Sequence, residues 1–336
     1  MRIAVCMPQV PFERGGTEIF ADGLVQALRD EGHEAELVTM PFKWYPNDRV
    51  LTQAFLWRLA DLEEANGRPI DAVIATKFPS YVVRHPNKVV WLLHQLRQAW
   101  DFDRTEFGQF GESAEDRALR RKVLELDRVS LGEAKKIFTT SSIVAGRLMD
   151  SVGLEAEVLA PPPAPLAFRC DEYGDFVLSV NRLDRAKRID LLLEAAALVP
   201  EVRVVVAGDG PDRERLEGMA GPGVEFVGRV SDEELADLYS RARAVYYAPV
   251  NEDYGLVPYE AFLSDKPVIT TSDAGGPLDI VHDGETGRVV EPTREALAAA
   301  LTFTDEEARR LGRAGRAIAQ TVTWKRCVDR LLEFVQ

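Results

Sequence analysis

The 336-residue sequence has few cysteines and no long apolar run. Its three cysteines, Cys6, Cys170 and Cys327, are widely separated and form no CxxC pair, so we expect buried thiols in a reducing compartment. No stretch reaches the ~18 apolar residues of a membrane-spanning helix, and no apolar run with a small-residue cleavage site marks the N-terminus. These absences predict a protein that is made and kept in the cytoplasm.

Positive charge is also scarce. The chain carries 41 Lys and Arg against 55 Asp and Glu, which gives a formal net charge of −14. Such a surface would repel nucleic-acid phosphates, so we expect no nucleic-acid partner. A local basic pocket is still compatible with this net charge. An apolar content of 46% with 29% charged residues is typical of a globular protein, and the length suffices for two domains with separate cores.

The first half of the chain alternates strand-like and helix-like segments. A short apolar strand over 2–7 precedes a loop with Gly15 and Gly16, and further segments predict a helix at about 17–31 and strands at 35–39, 71–75, 88–93 and 137–141. This order predicts a doubly wound α/β domain, in which ligands bind beyond the carboxyl ends of the strands. The two glycines do not complete G-x-G-x-x-G, which disfavours a nicotinamide dehydrogenase.

Two other features of the first half could serve a ligand. His94 follows the strand at 88–93 directly, where a ligand-facing side chain would lie, although a single histidine is more often structural. Residues 42–62 are rich in aromatic side chains. We expect these side chains to pack on the face of the domain; the less favoured alternative is that they form a wall that binds the acceptor. The helix predicted between 113 and 136 mixes both charges, which favours a solvated face over a membrane-binding one.

A proline-rich linker over 161–168 separates this half from a second α/β series. Strands are predicted at 176–180, 202–207, 224–227, 244–250, 268–271 and 288–290, with helices at 191–198, 212–219 and 232–241. Ser231 and Glu234 form a capping box at the start of the last of these helices. Two α/β domains joined by a short linker imply a cleft, which is the usual place for a ligand.

Charged residues follow the strands of the second half. Arg182 and Lys187 lie five positions apart after a strand, where they could clamp a pyrophosphate or simply form an exposed helix start. Glu252 and Glu260 flank Gly255 near a helix predicted to begin at 256 or 257. Free N–H groups at a helix start favour phosphate, whereas carboxylates suit sugar or ribose hydroxyls. An acidic loop with an N-terminal helix glutamate is the alternative.

Two glycine pairs complete this pattern. Gly208 and Gly210 follow the strand at 202–207. We expect them to form a tight turn, because the rest of the dinucleotide-binding fingerprint is missing. Gly275 and Gly276 follow the strand at 268–271 and could bring backbone close to a ligand or form a simple turn. The four features lie at successive strand-to-helix junctions, and together they indicate a nucleotide diphosphate.

In this order the motifs resemble a family 4 retaining glycosyltransferase of the GT-B class. The resemblance spans nearly the whole chain, from the first Gly-Gly loop through R-x4-K, Glu-x7-Glu, KPVI and the GGP turn to the terminal TWKRCVDRLLEF segment. It implies an α/β GT-B fold of two Rossmann-like doubly wound domains facing each other across a cleft. Residues 1–165 would form the acceptor side, 166–321 the donor-binding domain, and a helix at about 322–336 would pack back on the first domain.

The resemblance also implies roles for individual residues. Arg182 and Lys187 would neutralise the leaving diphosphate, Glu252 would hold the donor sugar, Glu260 the ribose, and His94 would touch the sugar. The implied donor- and nucleotide-binding residues are Gly15, Gly16, Asn181, Arg229, Val230, Asp253, Tyr254, Gly255, Leu256 and Glu260. Gly15 and Gly16 would reach the phosphates, and the base would lie near Arg229 and Val230. The family often has a small residue where Asp253 stands here.

The implied reaction is retaining transfer of a hexose from a UDP- or GDP-sugar to an acceptor hydroxyl, without a metal or other cofactor. The acceptor would be a glycan, a lipid-linked sugar or a small molecule, and a lipid-linked acceptor would bring peripheral contact with the inner membrane face. A sugar-nucleotide epimerase of the same architecture and a non-catalytic nucleotide-sugar binding protein stay open as alternatives.

Overall fold

The computed structural model describes residues 1–13, 15–105 and 108–335 and divides the chain into two compact units. The first unit consists of Met1–Ala164 and Thr323–Gln336, and the second of Pro165–Val322. Each unit contains its own six-stranded sheet with its own apolar core. The chain passes from one unit to the other inside the proline-rich segment.

In the described residues of the N-terminal part, the first unit contains eight strands and four α-helices. The strands are β1 (Arg2–Gln9), β2 (Glu34–Pro41), β3 (Glu64–Ala65), β4 (Arg68–Pro69), β5 (Ala72–Ala75), β6 (Lys88–Leu92), β7 (Lys136–Thr139) and β8 (Glu157–Val158). The helices are α1 (Gly16–Asp30), α2 (Arg49–Leu59), α3 (Ala114–Gly132) and α4 (Ser142–Val152). The sheet order is β2-β1-β5-β6-β7-β8 with parallel pairing, the flavodoxin-like arrangement.

The central strands of this sheet are buried on both faces. Every residue of β5 and β6 is buried, including the ammonium-bearing Lys88. Lys88 is accommodated because its Nζ donates to three backbone carbonyls, of Tyr81, Val83 and Ser130. Near-continuous apolar runs of this kind are what a parallel sheet covered by helices on both sides requires.

The second unit contains six strands and six helices. The strands are β9 (Phe176–Val180), β10 (Arg203–Ala207), β11 (Val224–Gly228), β12 (Ala244–Tyr246), β13 (Val268–Thr271) and β14 (Gly287–Val290). The helices are α5 (Ile189–Ala196), α6 (Arg213–Met219), α7 (Asp232–Arg241), α8 (Val257–Leu263), α9 (Arg294–Ala300) and α10 (Asp305–Ala319). The sheet order is β11-β10-β9-β12-β13-β14, again parallel, which is the Rossmann order with a switch point between β9 and β12.

Local signals explain most of the helix starts. Ser231 Oγ accepts from the Glu234 backbone N–H while Glu234 Oε2 accepts from the Ser231 N–H at 2.8 Å, so the predicted capping box of α7 is confirmed. Helix α8 begins at Val257 with Pro258 in its first turn, also as predicted. Across the described ranges, no helix combines the length and the apolar content that crossing a bilayer requires.

The last helix, α11 (Trp324–Leu332), belongs to the first unit and packs on α1. The Trp324 ring lies 6.2 Å from the ring of Phe20 and 6.2 Å from that of Trp91, measured between centroids. Gly23 of α1 makes room for it, because a Cβ there would lie 2.6 Å from Trp324 Cζ2. Burial of aromatic surface therefore fixes the end of the chain on the first unit.

One predicted strand is wrong in length. Residues 244–250 were expected to form one strand, but β12 ends at Tyr246. The carbonyls of Ala248 and Pro249 accept hydrogen bonds from the Arg188 guanidinium, and the Val250 N–H donates to the Ala186 carbonyl. These backbone groups are therefore used to hold a loop, which turns the chain away from the sheet immediately before Glu252.

Candidate functional site

The candidate site lies at the carboxyl edge of the second sheet. The loops that follow β9, β10, β12 and β13 all leave the sheet at this edge, because the strands are parallel. They carry the residues 181–188, 208–212, 247–256 and 272–276. The central strand β9 and its neighbour β12 flank the switch point, where the chain turns to opposite sides of the sheet and leaves a crevice for a ligand.

Lys187 and Glu252 come into direct contact across the switch point. Residues Arg185–Lys187 form a single 3-10 turn after β9, and Lys187 Nζ donates to Glu252 Oε2. Both side chains are half-buried, and Nζ lies 5.6 Å from the centre of the Tyr247 ring. Burial opposes the charge, but Tyr247, Glu252 and Asp184 outweigh it, so the pKa of Lys187 is raised above its ordinary value. Lys187 is therefore a permanent cation at neutral pH.

The backbone of Glu252 is held by the loop after β13. The Glu252 N–H donates to the Ala274 carbonyl at 2.8 Å, and the Gly276 N–H donates to the Glu252 carbonyl at 2.9 Å. Gly275 has φ +83°, and a Cβ at this position would lie 2.5 Å from the Glu252 carbonyl oxygen. The glycine pair thus brings backbone close to the protein's own Glu252 loop, which neither of the two sequence interpretations anticipated.

Arg188 fixes the loops around this pair, and the sequence patterns did not single it out. It has φ +50°, and its guanidinium donates to the carbonyls of Ala248 and Pro249, to Thr271 Oγ1 at 2.7 Å and to both carboxylate oxygens of Asp273. One side chain therefore ties the loop after β9 to those after β12 and β13. Only the tertiary structure shows these hydrogen bonds of Arg188. In the sequence, an arginine next to Lys187 predicts no more than another exposed cation.

Glu260 lies in a different environment from Glu252. It is half-buried on α8, and its Oε2 accepts a hydrogen bond from the Tyr239 hydroxyl at 2.7 Å. Burial raises the pKa of Glu260, the hydrogen bond from Tyr239 partly lowers it, and Asp232 raises it further. The two glutamates, for which different roles were predicted, thus have different partners: Glu252 is ion-paired, and Glu260 is hydrogen-bonded to a buried phenol. Tyr239 is a partner that sequence spacing could not identify.

The loop over 253–256 folds over Tyr247. Gly255 has φ +96°, and a Cβ there would lie 2.6 Å from Tyr247 Cε1, so any larger residue would push the loop away. The rings of Tyr254 and Tyr259 lie 5.1 Å apart between centroids. Half-buried Asp253 and Leu256 complete the segment. Helix α8, which follows, has seven residues, and phosphate binding near its start stays a prediction.

Asn181 and Arg182 follow β9 in the same crevice region. Asn181 is buried and donates to Ser179 Oγ at 3.1 Å, while no group in the described part of the chain donates to its side-chain oxygen. Arg182 is exposed and forms no ion pair with any described residue. A Cβ at Gly208 would lie 1.8 Å from the Asn181 carbonyl oxygen, so this glycine serves the close approach of two loops, which goes beyond a simple tight turn.

The residues predicted to lie near the base are at the end of the edge strand β11. The Arg229 side chain is 84% exposed, and its Nε lies 3.9 Å from Asp209 Oδ2. Val230 is half-buried beside it. At this distance and exposure the ion pair restrains Arg229 only weakly. The structure thus places both residues at the correct sheet edge and leaves their role as a prediction.

Gly15, Gly16 and His94 lie at the carboxyl edge of the first sheet. The Gly15 N–H donates to Glu18 Oε2 at 2.8 Å. Apart from its chain neighbours and its own helix backbone, no described atom lies within 4 Å of the position that a Cβ on Gly16 would take. Half-buried His94 follows β6, and its Nδ1 lies 2.8 Å from the Gln95 carbonyl oxygen. In the same region Lys77 Nζ donates to Thr17 Oγ1 at 3.1 Å. The roles of the three predicted residues stay predictions.

A buried carboxylate holds the chain segment next to His94. Asp127 of α3 is completely buried and accepts hydrogen bonds from the Tyr81 hydroxyl (2.7 Å), Trp100 Nε1 (2.7 Å) and Gln95 Nε2 (3.1 Å). Burial raises the pKa of Asp127 to about 6, although the three hydrogen bonds lower it. Three uncharged donors thus hold Asp127, and this carboxyl group organises the loop after β6.

The variant Asp127→Asn should remove a pH dependence of stability. The carboxyl pKa is higher in the folded state, about 6, than its ordinary value of 3.8, so its contribution to stability is full below pH ~4 and is lost as pH rises through 6. The difference amounts to roughly 3 kcal/mol. Melting temperatures of both proteins from pH 4 to 8 should show the wild type gaining on the variant towards acid. A constant difference between them would contradict this assignment.

The fold is shared with solved glycosyltransferases of the GT-B class. The structure superposes on sucrose-phosphate synthase from Thermosynechococcus elongatus with a TM-score of 0.78 and 22% sequence identity, covering 99% of this chain and 98% of that one. At this identity the likeness shows the fold. The predicted fold class, two Rossmann-like halves of the GT-B type, is confirmed.

Most of the second unit matches a known protein family. Residues 168–317 match the family described as glycosyl transferases group 1, and this stretch contains Arg182, Lys187, Glu252 and Glu260. The match covers less than half of the chain, and for this stretch the resemblance seen in the sequence is confirmed.

Two curated relatives of known activity show the same likeness. The D-inositol 3-phosphate glycosyltransferase of Mycobacterium avium is 33% identical over 201 residues, covering 54% of this chain and 46% of that protein. The GDP-mannose-dependent alpha-mannosyltransferase of Mycolicibacterium smegmatis is 34% identical over 155 residues, covering 46% of this chain and 40% of that protein. The chain thus spans less than half the length of each relative. Neither supports the epimerase or the binding-protein alternative.

Proposed function

We propose that this protein is a retaining glycosyltransferase that transfers a hexose from a UDP- or GDP-sugar to an acceptor hydroxyl without a metal ion. The observation that carries the proposal is the contact between Lys187 and Glu252 at the switch point, inside the stretch that matches the group 1 family. It sets a permanent cation and a hydrogen-bond acceptor side by side. A diphosphate needs the first, and a sugar needs the second.

The expected chemistry follows from where charge develops. Breaking the bond between the anomeric carbon and the phosphate places negative charge on the leaving diphosphate, and a fixed cation at that point stabilises the transition state. Lys187 is such a cation, since its pKa is raised. Exposed Arg182, which has no ion-pair partner in the described chain, is available as a second cation. Two cations of this kind support a mechanism without a metal.

Donor binding would exchange the partner of Lys187. In the structure, Lys187 Nζ donates to Glu252. With a diphosphate bound, Nζ would donate to phosphate oxygens instead, and the Glu252 carboxylate would accept hydrogen bonds from sugar hydroxyls. Glu260, hydrogen-bonded to Tyr239, would receive the ribose. Neither carboxylate then remains unpaired in the half-buried site, which would otherwise be costly.

The donor and the acceptor are proposed only as classes. The name of the M. smegmatis relative makes GDP-mannose a first candidate donor, and UDP-sugars are retained beside it. The acceptor would be a glycan, a lipid-linked sugar or a small molecule, and the protein would act in the cytoplasm. Gly15, Gly16 and His94 in the first unit would assist the donor phosphates and sugar.

Ligand binding and turnover test this proposal. Melting temperatures would be measured with UDP, GDP, ADP, UDP-glucose and GDP-mannose in the presence of EDTA, because a ligand at 100 times its Kd stabilises the native state by roughly 2.7 kcal/mol. One nucleoside diphosphate and its sugar should raise the melting temperature, and that sugar should release the diphosphate on turnover. The anomeric configuration of the product, read by NMR, should be that of the donor.

Three results would contradict it. A folded protein that none of these ligands stabilises would not bind nucleotide sugars. Conversion of the donor sugar to its epimer would favour the epimerase alternative, and binding without turnover over a broad acceptor panel would favour the non-catalytic one. Loss of binding or turnover in EDTA, restored by a divalent cation, would overturn the metal-independent mechanism.

A further inference from the structure

The three cysteines of the chain are free thiols that differ in exposure. Cys6 and Cys327 are buried, as expected, and burial raises the pKa of both thiols. The expectation of a buried thiol is wrong for Cys170, which is partly exposed. Reactive cysteines are partly exposed and lie beside a positive charge, which stabilises the thiolate. Cys170 therefore meets the first of these two conditions, and the other cysteines do not.

A buried lysine next to Cys170 supplies the positive charge. Lys266 lies between α8 and β13 and is completely buried, and its Nζ donates to Cys170 Sγ at 3.1 Å. The same Nζ donates to the Glu172 carbonyl and lies 4.3 Å from the centre of the Tyr173 ring. Within the described ranges, no carboxylate forms an ion pair with Lys266. A buried charge without an opposite charge is costly, so the thiolate form of Cys170 is the anion that this lysine lacks.

The other fully buried lysine, Lys88, is surrounded differently. It donates to three backbone carbonyls, and its Nζ also lies 3.3 Å from Glu133 Oε2, so a carboxylate offsets its charge. Burial lowers the pKa of Lys88 to about 8, and burial likewise lowers the pKa of Lys266. A lowered pKa gives Lys266 a larger fraction of neutral amine, which is the nucleophilic form. Lys266 thus combines a nucleophilic nitrogen with a sulfur atom in direct contact.

Backbone hydrogen bonds hold both partners in this contact. The Asp171 N–H, next to Cys170 in the chain, donates to the Ser240 carbonyl at 3.0 Å, and the Lys266 N–H donates to the Ala261 carbonyl at 2.9 Å. The nitrogen and the sulfur therefore meet in a fixed geometry, which favours a reaction between them over reactions with solvent.

From this geometry we propose that Cys170 and Lys266 form an oxidative modification site, at which hydrogen peroxide produces a covalent bond between Cys170 Sγ and Lys266 Nζ. In the first step the thiolate attacks one peroxide oxygen and is oxidised to a sulfenic acid, and the released hydroxide takes a proton from the Lys266 ammonium and becomes water. In the second step the neutral amine attacks the sulfur. The S–N bond forms, the S–O bond breaks, and hydroxide leaves with one amine proton as a second water, which gives a sulfenamide. This inference goes beyond the transfer reaction and does not depend on it.

The position of the pair gives the bond a consequence for stability. Cys170 precedes β9 and Lys266 precedes β13, so both lie at the amino edge of the second sheet, opposite the edge that carries Lys187 and Glu252. The two residues are 96 positions apart in the chain, and a bond that closes so long a stretch restricts the unfolded chain strongly. The oxidised protein should therefore be more stable, with the candidate site left open.

Peptide mapping by mass spectrometry tests the proposal on the whole chain. After treatment with hydrogen peroxide, wild type should yield a linked pair of peptides that contain Cys170 and Lys266, ~2 Da lighter than their sum because two hydrogen atoms are lost. Dithiothreitol should separate the two peptides. The melting temperature should rise by at least ~3 °C on oxidation and fall back on reduction.

Three variants assign the bond to this pair. Cys170→Ser and Lys266→Met should lose both the linked peptides and the rise in melting temperature. In Lys266→Met, dimedone, a reagent that traps sulfenic acids, should label Cys170, because the amine that consumes the sulfenic acid is gone. The matched control Cys327→Ala, which removes a buried thiol, should keep the linked peptides and the rise.

Defined outcomes overturn the proposal. A folded, peroxide-treated wild type in which Cys170 is unmodified, or carries a sulfinic or sulfonic acid while Lys266 is free, has no such site. A linked pair that is one oxygen atom heavier would replace the S–N bond by an S–O–N bond. A rise in melting temperature that Cys170→Ser retains would have another cause. Circular dichroism confirms that each variant is folded, and Cys170→Ser still decides the test if Lys266→Met does not fold. Nucleotide release from untreated protein reports the proposed function separately, so either proposal can fail alone.

Discussion

Replacing Lys187 by methionine is expected to lower kcat for nucleotide-sugar turnover by about 10²–10³-fold, the effect of removing one preorganised charge that faces the leaving group. Methionine keeps most of the side-chain volume next to Tyr247 and removes only the ammonium group. The loss should fall mainly on kcat, because the charge on the diphosphate grows during bond breaking. Steady-state kinetics with the donor identified by melting temperature would measure it.

The partner substitution sharpens this test. Glu252→Gln should also reduce turnover, and the double variant should lose much less than the product of the two single effects, because the two side chains touch. Lys325→Met is the matched control: Lys325 is an ion-paired lysine on α11, with its Nζ 3.1 Å from Asp329, and it should leave turnover unchanged. If Lys187→Met were as active as the control, the contact would be structural and the proposed mechanism would be wrong.

The pH dependence of turnover should not come from Lys187. Its pKa is raised above the ordinary lysine value, so its charge is present throughout the neutral range. Glu260 is a better candidate, since burial raises its pKa and only the charged form is a pure acceptor for ribose hydroxyls. Any acidic loss of donor affinity should therefore be weaker in Glu260→Gln, whose own affinity is lower at every pH.

Local patterns were sufficient to predict the elements around the site. The capping box of α7, the start of α8 and the strand β13 all follow from a few adjacent residues. The alternation of buried strands and amphipathic helices was enough for the fold class, because both sheets are parallel and covered on both faces.

The contacts that shape the site could not be predicted in this way. The link between Arg188 and Asp273 joins residues 85 positions apart, and the link between Tyr239 and Glu260 joins a helix to its neighbour. Neither contact leaves a periodic or spaced signal in the sequence. The premature end of β12 has the same origin, because Arg188 takes the carbonyls that a longer strand would have used. Tertiary hydrogen bonding thus overrode a sound local prediction of strand.

The Gly275–Gly276 pair after β13 was recognised in the sequence, but its contact with the Glu252 backbone was not predicted. Gly275→Ala should lower both stability and turnover, while Gly284→Ala should lower stability by a smaller amount. Both glycines have positive φ, +83° and +70°, so each alanine carries about 1–2 kcal/mol of backbone strain. Only at Gly275 would the new Cβ meet backbone, 2.5 Å from the Glu252 carbonyl oxygen; at Gly284 no atom lies within 4 Å.

The close contact at Gly275 can be relieved only if the Glu252 backbone moves. Overpacking of this kind costs roughly a further 1–3 kcal/mol, and a shift of ~1 Å at a ligand-binding residue can cost about 10²-fold in rate. Urea unfolding of both variants would separate the shared strain from the contact, and kcat measured well below the unfolding transition would report the displacement of Glu252. Equal losses in the two variants would mean that Gly275 serves only its positive φ. A larger loss at Gly275, with turnover reduced as well, would show that this glycine positions the carboxylate beside Lys187.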